Sequence, residues 1–227
     1  MPPDKSKTEA LRETVLFSSL SLAELEELAG LTTEHRYQAG DYIFWEGDSG
    51  EYLYTVVEGR VKISKLSLQG KEVIIAFFNP GEMFGEVALF EGRVYPASAQ
   101  ATTIARVLAI RRHDFLRLVS KHPQMAMVII GVLSGRLREA QWRLKDLALE
   151  RADQRLARVL MMLSAKLGET LPFTRQEIAD MAGTTTETAI RFLSRLKDGG
   201  IISSDRGKIV ILNKVRLKLI SEGPPRV

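Results

Sequence analysis

Hydrophobic and polar residues change their rhythm three times along this chain. Over residues 8–34, Leu11 and Val15, then Leu22, Leu25 and Leu28, recur at helical spacing, which predicts short helices. From Tyr37 to Ile110 the pattern shortens to strand-like runs (DYIFWEG, YLYTVVEG, RVKISKLS, EVIIAFF, ASAQATTIARVLAI). These are punctuated by Gly40, Gly47, Gly59, Gly70, Gly81, Gly85 and Gly92. Short strands separated by glycine turns at this rate predict an antiparallel barrel or jelly roll. After Pro123 the rhythm is helical again, and before Gly168 only Gly131 and Gly135 interrupt it. Ala126, Ile130, Leu133, Leu137, Ala140, Leu144 and Leu147 alternate by four and three, the a/d pattern of a coiled coil. One continuous stripe on one helix needs a partner helix, and the same helix of a second subunit supplies it by two-fold symmetry. The competing reading packs the stripe on the chain's own barrel. In LALERADQRLARVLMMLSAK the apolar face moves to Leu156, Val159, Leu160 and Leu163, so a bend is expected near Leu147–Ala152. The expected organisation is a domain over 1–122, a dimerisation helix over 123–147 and a C-terminal domain over 148–227.

Residues 172–198 predict two short helices joined by a tight turn. Thr174 and Glu177 suit a capping box, with Phe173 and Ile178 at the hydrophobic-staple positions. Gly183 can take the positive φ that closes the first helix. A second box is expected from Thr184 to Glu187, and Gly199 ends that helix. Ala189, Phe192, Leu193 and Leu196 follow the core spacing of i, i+3, i+4, i+7. The opposite face carries Thr186, Glu187, Ile190, Arg191 and Ser194, which burial does not explain. Arginine can bond guanine O6 and N7, and glutamate can accept from cytosine N4. The plainer reading is a surface i, i+4 pair worth about 0.3–0.5 kcal/mol, and a Glu187 engaged in capping is less free to reach a base. IISSDRGKIVIL then predicts a hairpin turning at Asp205–Gly207, with Arg206 and Lys208 at its tip as a basic wing for phosphates.

Charge sharpens this picture. Of the 227 residues, 45% are hydrophobic and 26% charged, enough for two domains with their own cores. The net charge of +4 is uneven: residues 1–120 hold 13 basic and 17 acidic residues (−4), 121–150 hold 5 and 3 (+2), and 151–227 hold 14 and 8 (+6). The C-terminal third therefore suits a polyanion. No apolar run approaches the roughly 18 residues of a membrane span, and MPPDKSKTEA has no apolar stretch after its lysines, so a cytoplasmic protein is expected. Without cysteine there is no disulfide, thiolate zinc site or cysteine-ligated iron–sulfur cluster. A cupin-type metal enzyme needs a cluster of histidine and carboxylate ligands, and the barrel has only His35 and His113 at its margins, so no enzyme is expected. A partner-binding protein using its coiled coil alone leaves the Glu187–Arg191 face and the wing unexplained.

TRQEIADMAGTTTETAIRFLSRLKDGGIIS resembles the winged helix-turn-helix of the CRP/FNR superfamily of bacterial transcription regulators. From about Phe17 to Leu212 the barrel glycines, GEMFGEVALF, the long helix and LALERADQRLA match that family in order. The resemblance implies an α+β chain: an N-terminal antiparallel β-roll of the cyclic-nucleotide-binding kind, a long dimerisation helix and a C-terminal winged helix-turn-helix. It implies a homodimer on a palindromic double-stranded operator, RNA polymerase as a further partner, and a β-roll that gates DNA binding through a small-molecule effector. Thr185, Thr186, Glu187, Ile190 and Arg191 are then expected at base edges, and Thr174, Arg175, Gln176, Ser194, Arg206 and Lys208 at the DNA backbone. Thr186 stands where cyclic-AMP receptors carry a base-reading arginine, so the half-site is expected to differ there.

The same resemblance places an effector pocket at Phe84, Gly85, Glu86, Val87 and Ala88, at Tyr95, Pro96, Ala97 and Ser98, and at Leu137, Ala140 and Gln141. In cyclic-nucleotide-binding members an Arg-Ser-Ala cassette follows FGE; its arginine neutralises the cyclic phosphate and the glutamate takes the ribose hydroxyl. Here Gly85 and Glu86 stand, but the arginine and serine positions are read as Pro96 and Ala97, and Ala140-Gln141 replaces a Thr-Ser pair. A charge-assisted phosphate contact is worth about 1.5–3 kcal/mol, and proline offers no donor, so an effector other than cyclic AMP is expected. The remaining classes are a small organic ligand and a haem-bound gas such as nitric oxide or carbon monoxide. For haem the sequence offers His35, His113 and His122, and the start MPPDKSK is similar to carbon-monoxide sensors that ligate haem through a proline-rich N-terminus.

Overall fold

A computed structural model describes residues 6–67, 72–205 and 207–223, without the side chain of Leu147. Its contacts divide the chain into two compact units, Met1–Lys71 with Ile75–Arg136, and Glu72–Ile74 with Leu137–Val227. The division falls inside the long helix.

In the first unit, helices α1 (Lys7–Arg12) and α2 (Leu22–Leu31) flank a 3₁₀ turn at Val15–Phe17. Ser6 with Glu9, and Ser21 with Glu24, close capping boxes at the two helix starts. The expected helical stretch to residue 34 stops earlier. Thr32–Tyr37 is strand β1, paired antiparallel with β8 (Ala105–Arg111) from Thr32↔Ile110 to Tyr37↔Ala105. Two adjacent β-branched threonines at its start favour the strand over another helical turn.

Between these lie β2 (Tyr42–Phe44), β3 (Tyr52–Glu58), β4 (Val61–Leu66), β5 (Glu72–Phe78), β6 (Met83–Phe84) and β7 (Ser98–Ala101). They form two four-stranded sheets in the orders β1-β8-β3-β6 and β2-β7-β4-β5, the expected roll. At the β3–β4 turn, Gly59 has φ +78° and a Cβ there would stand 2.1 Å from the Ile104 carbonyl, so only glycine fits. One core, with Phe44, Val56, Val61, Phe84 and Val107, fills the roll. A second, with Leu11, Phe17, Leu28, Phe115 and Met125, binds the helices to its outside, including α3 (Glu86–Glu91) and α4 (Arg112–Lys121).

Helix α5 (Gln124–Leu149) runs through both units, and α6 (Ala152–Leu167) follows a break at Glu150–Arg151, inside the range expected for a bend. Along the second unit's part of α5, Glu139 pairs with Lys166 (3.6 Å), Asp146 with Arg158, and Glu150 with Arg158 (3.3 Å). From Glu139 to Asp146 the partner number falls from 166 to 158, and Glu150, just past α5, shares Arg158, so α6 folds back antiparallel along α5. Arg143, within this ladder, has its pKa lowered by burial. Then come β9 (Thr170–Leu171), α7 (Arg175–Met181), α8 (Thr186–Asp198), β10 (Ile202–Asp205), β11 (Lys208–Ile211) and α9 (Lys214–Glu222). The sheet order β10-β11-β9 makes the wing. Among the described residues no helix is long and apolar enough to cross a membrane.

Within one chain the residues of the expected α5 seam differ in exposure. Ile130, Leu137, Ala140 and Leu144 are exposed, whereas Ala126 is half-buried and Leu133 packs on the first unit's own core beside Ile129. Leu147 falls on a side chain outside the described residues.

Candidate nucleic-acid interface and the interior of the β-roll

Helix α7 starts as its sequence predicts. The Thr174 hydroxyl accepts from the Glu177 amide at 3.2 Å, and the Glu177 carboxylate accepts from the Thr174 amide at 2.7 Å. Phe173 and Ile178 are both buried, as a staple requires. Gly183, at φ +60°, turns the chain toward α8. The second box is a correction. The Thr184 amide donates to the Ala179 carbonyl at 3.0 Å, which keeps Thr184 in the turn leaving α7. Thr185 is therefore the N-cap, and its hydroxyl accepts from the Thr188 amide at 3.2 Å. Glu187 takes no part in capping.

That shift frees the outer face of α8. Ala189, Phe192, Leu193 and Leu196 are buried. On the other side Thr185, Glu187, Ile190, Arg191 and Ser194 are exposed. The Glu187 and Arg191 side chains are 79% and 69% exposed and meet at 4.0 Å, at the outer limit of an ion pair. Thr186 is half-buried, and its hydroxyl donates to the side-chain carbonyl of Gln176; the Gln176 amide donates to Asp180 at 2.8 Å. Gln176 and Thr174, expected at the DNA backbone, are thus engaged within the motif. Arg175 and Lys208 are exposed, Lys208 beside the wing turn at Gly207 (φ +73°). Arg206 lies outside the described residues.

Arg155 is a residue the sequence reading missed. Its guanidinium donates to the Ala182 carbonyl (2.8 Å), the Gly183 carbonyl (3.2 Å) and the Glu150 carbonyl (2.9 Å). One side chain thereby ties the α7–α8 turn to the end of α5. Its partners lie up to 28 residues away, so local pattern gave no signal.

The roll interior is built on Gly85, whose φ of +87° lets the chain turn from β6 into α3. A Cβ there would meet the Tyr52 carbonyl at 3.1 Å. Next along, Glu86 is buried and ion-paired with Arg136. Arg136 also donates to the Met83 carbonyl at 2.6 Å and lies 4.8 Å from the Phe78 ring centroid. It too was missed, because its carboxylate partner lies 50 residues away. Phe84 and Ala88 are buried; Val87 is exposed.

Pro96 is a second correction. It is exposed, while its neighbours Tyr95 and Ala97 are buried, so the side chain reaching the interior is tyrosine. The Tyr95 ring stacks on Phe44 at 3.7 Å, and its hydroxyl donates to the Tyr52 carbonyl at 2.8 Å and accepts from the Tyr52 amide at 3.2 Å. Tyr54 stacks on Phe84 at 5.1 Å. Burial raises the pKa of both phenols. The Ser98 hydroxyl accepts from the Glu46 amide at 2.9 Å. Leu137, Ala140 and Gln141 belong to the second unit, where all three are exposed. His35 and His113 are exposed, and His122 meets Glu24 at 3.3 Å.

Comparison with known proteins fits these two sites. Residues 34–122 match the cyclic nucleotide-binding domain, and residues 154–220 the Crp-like helix-turn-helix domain. The cyclic AMP receptor protein of Thermus thermophilus is 33% identical over 94% of this chain and 99% of its own length. The CRP-like cAMP-activated global transcriptional regulator of Mycobacterium tuberculosis is 30% identical over 86% of this chain and 92% of its own. Among solved structures, FixK2 from Bradyrhizobium japonicum superposes with a TM-score of 0.76 at 30% identity, covering 82% of this chain and 96% of that one. With its cyclic-nucleotide-binding roll, its Crp-like helix-turn-helix and these relatives along nearly its whole length, the chain belongs to the CRP/FNR family of DNA-binding transcription regulators and is not an enzyme.

Proposed function

We propose that two copies of this chain pair through α5 and set their α8 helices in successive major-groove turns of a palindromic operator, under the control of a small ligand other than cyclic AMP. The observation that carries the DNA half of this reading is the outer face of α8. Glu187 and Arg191 stand exposed on a helix whose other face is wholly core, with cap and turn held by neighbouring residues. Pairing is supported by Ile130, Leu137 and Leu144, exposed at intervals of seven on α5, an apolar line that a two-fold partner would cover. Arg175, Lys208 and Ser194 serve phosphates, and Arg206 adds a charge at the wing. RNA polymerase is the further partner of such a regulator.

Cyclic AMP is named for the Thermus relative, and two observations argue against carrying it over. From the segment Tyr95–Ala97 the side chains that reach the interior, Tyr95 and Ala97, carry no positive charge, and Glu86 is held by Arg136 instead of being free for a ribose hydroxyl. Effector and operator favour the same dimer geometry, so each tightens the other. The test selects an operator from random DNA with the full chain. A palindromic site bound by a dimer, with no change on adding cyclic AMP, supports the proposal. A monomer on a single half-site, or tighter binding with cyclic AMP, overturns it.

A further inference from the structure

Ile190 is the one large apolar side chain on α8 outside its core, 38% exposed beside Arg191. The core of that helix is complete without it. Helix propensity does not ask for it either, since isoleucine is a weaker helix former than the lysine, glutamate or glutamine that would solvate an exposed site. Single exposed aliphatics are common on protein surfaces. This one differs by its place, between Glu187 and Ser194 on the face that carries the base-reading pair.

A second observation concerns its neighbour one turn earlier. Thr186 donates its hydroxyl proton to Gln176, and Gln176 is itself held by Asp180 at 2.8 Å. The hydroxyl proton is therefore directed at Gln176 rather than outward. Thr186 and Ile190, four residues apart, lie on one helix face beside the charged pair, and Ile190 is its large apolar group. In the major groove the apolar feature of a base edge is the 5-methyl group of thymine.

We infer that each half-site carries a thymine next to the base pair read by Glu187 and Arg191, and that Ile190 recognises it through its methyl group. The inference rests on α8 being the base-reading helix and extends that reading to one base. A methyl removed from water gives about fourfold in affinity at one half-site, and about fifteenfold when both halves of a palindrome are changed.

The test uses a duplex selected by the full wild-type chain from a random pool. Each thymine is replaced in turn by uracil, which removes the methyl and leaves the hydrogen-bonding edge intact. The expected result is one sensitive thymine per half-site for the wild type. Sensitivity should be reduced for Ile190→Val and absent for Ile190→Ala, each checked for native circular dichroism. If no thymine is sensitive, or if Ile190→Ala keeps the full preference for thymine over uracil, the methyl contact is overturned while base reading by α8 stands. If the wild type selects no sequence, or Arg191→Ala selects the same one as strongly, the base-reading role itself falls, and this inference with it.

Discussion

The outer face of α8 and the interior of the β-roll both hold polar side chains that core packing does not require, and they hold them in opposite states. On α8, Glu187 and Arg191 are largely exposed and barely meet. In the roll, Glu86 is buried and paired with Arg136, and the Tyr95 hydroxyl makes two bonds to the backbone of Tyr52. A surface that meets a macromolecule can be displayed in advance, because water solvates it until the partner arrives. A buried site has no such reserve, since an unpaired charge or hydroxyl there is costly. Its polar groups bond one another. Under the function proposed above, the α8 face serves direct contact, and a ligand in the roll would have to displace those bonds.

The largest test of this contrast removes the partner of Glu86. Arg136→Ala should lower the stability of the roll in urea by about 3 kcal/mol, the low end for a broken buried pair because the arginine is partly exposed. Adding Glu86→Gln should restore much of the loss. A neutral Arg136→Ala would mean that the two regions do not differ as argued. Next is Arg191→Ala, which should cost about 1–3 kcal/mol of sequence-specific binding. Its effect on stability should stay within about 0.5 kcal/mol. Lys208→Ala should instead weaken all DNA sequences about equally.

Within the roll, Tyr95→Phe should cost about 1–1.5 kcal/mol in denaturant unfolding by leaving the Tyr52 carbonyl without its donor. Burial raises the Tyr54 and Tyr95 pKa values, whereas phenols of the unfolded chain ionise near pH ~10. Above that pH the unfolded state holds fewer protons than the folded one, so stability should fall as pH rises. Tyrosine ionisation followed by ultraviolet absorbance should coincide with unfolding of the roll. An ionisation that precedes unfolding would place these phenols in contact with water. The smallest effect is expected from Thr185→Ala, about 1 kcal/mol from the lost cap, with Thr184→Ala close to neutral. Equal losses would return the cap to Thr184 and Glu187 to it.

These corrections show where sequence reasoning stopped. Three threonines precede α8, and any of them satisfies a cap pattern; the bond from the Thr184 amide to Ala179 selects Thr185. The same uncertainty of one residue put Pro96 in the roll, where the chain turns Tyr95 inward instead. Leu133 fits the α5 seam by spacing and is also partly buried against the core beside Ile129, a contact its spacing does not show.

The sequence by itself determined the order of elements, the α+β class and which side of α8 is exposed. Each of these follows from a periodicity of two or of about 3.6 residues and from capping signals within four positions, all local properties of the chain. The tertiary structure alone decided that Arg136 holds Glu86, that Arg155 joins the α7–α8 turn to the end of α5, and that Gln176 fixes Thr186. Apart from the Arg155–Glu150 bond, which spans five positions, those bonds join residues 10 to 50 positions apart, and an arginine or glutamine in a sequence carries no mark of the distant oxygen it will meet.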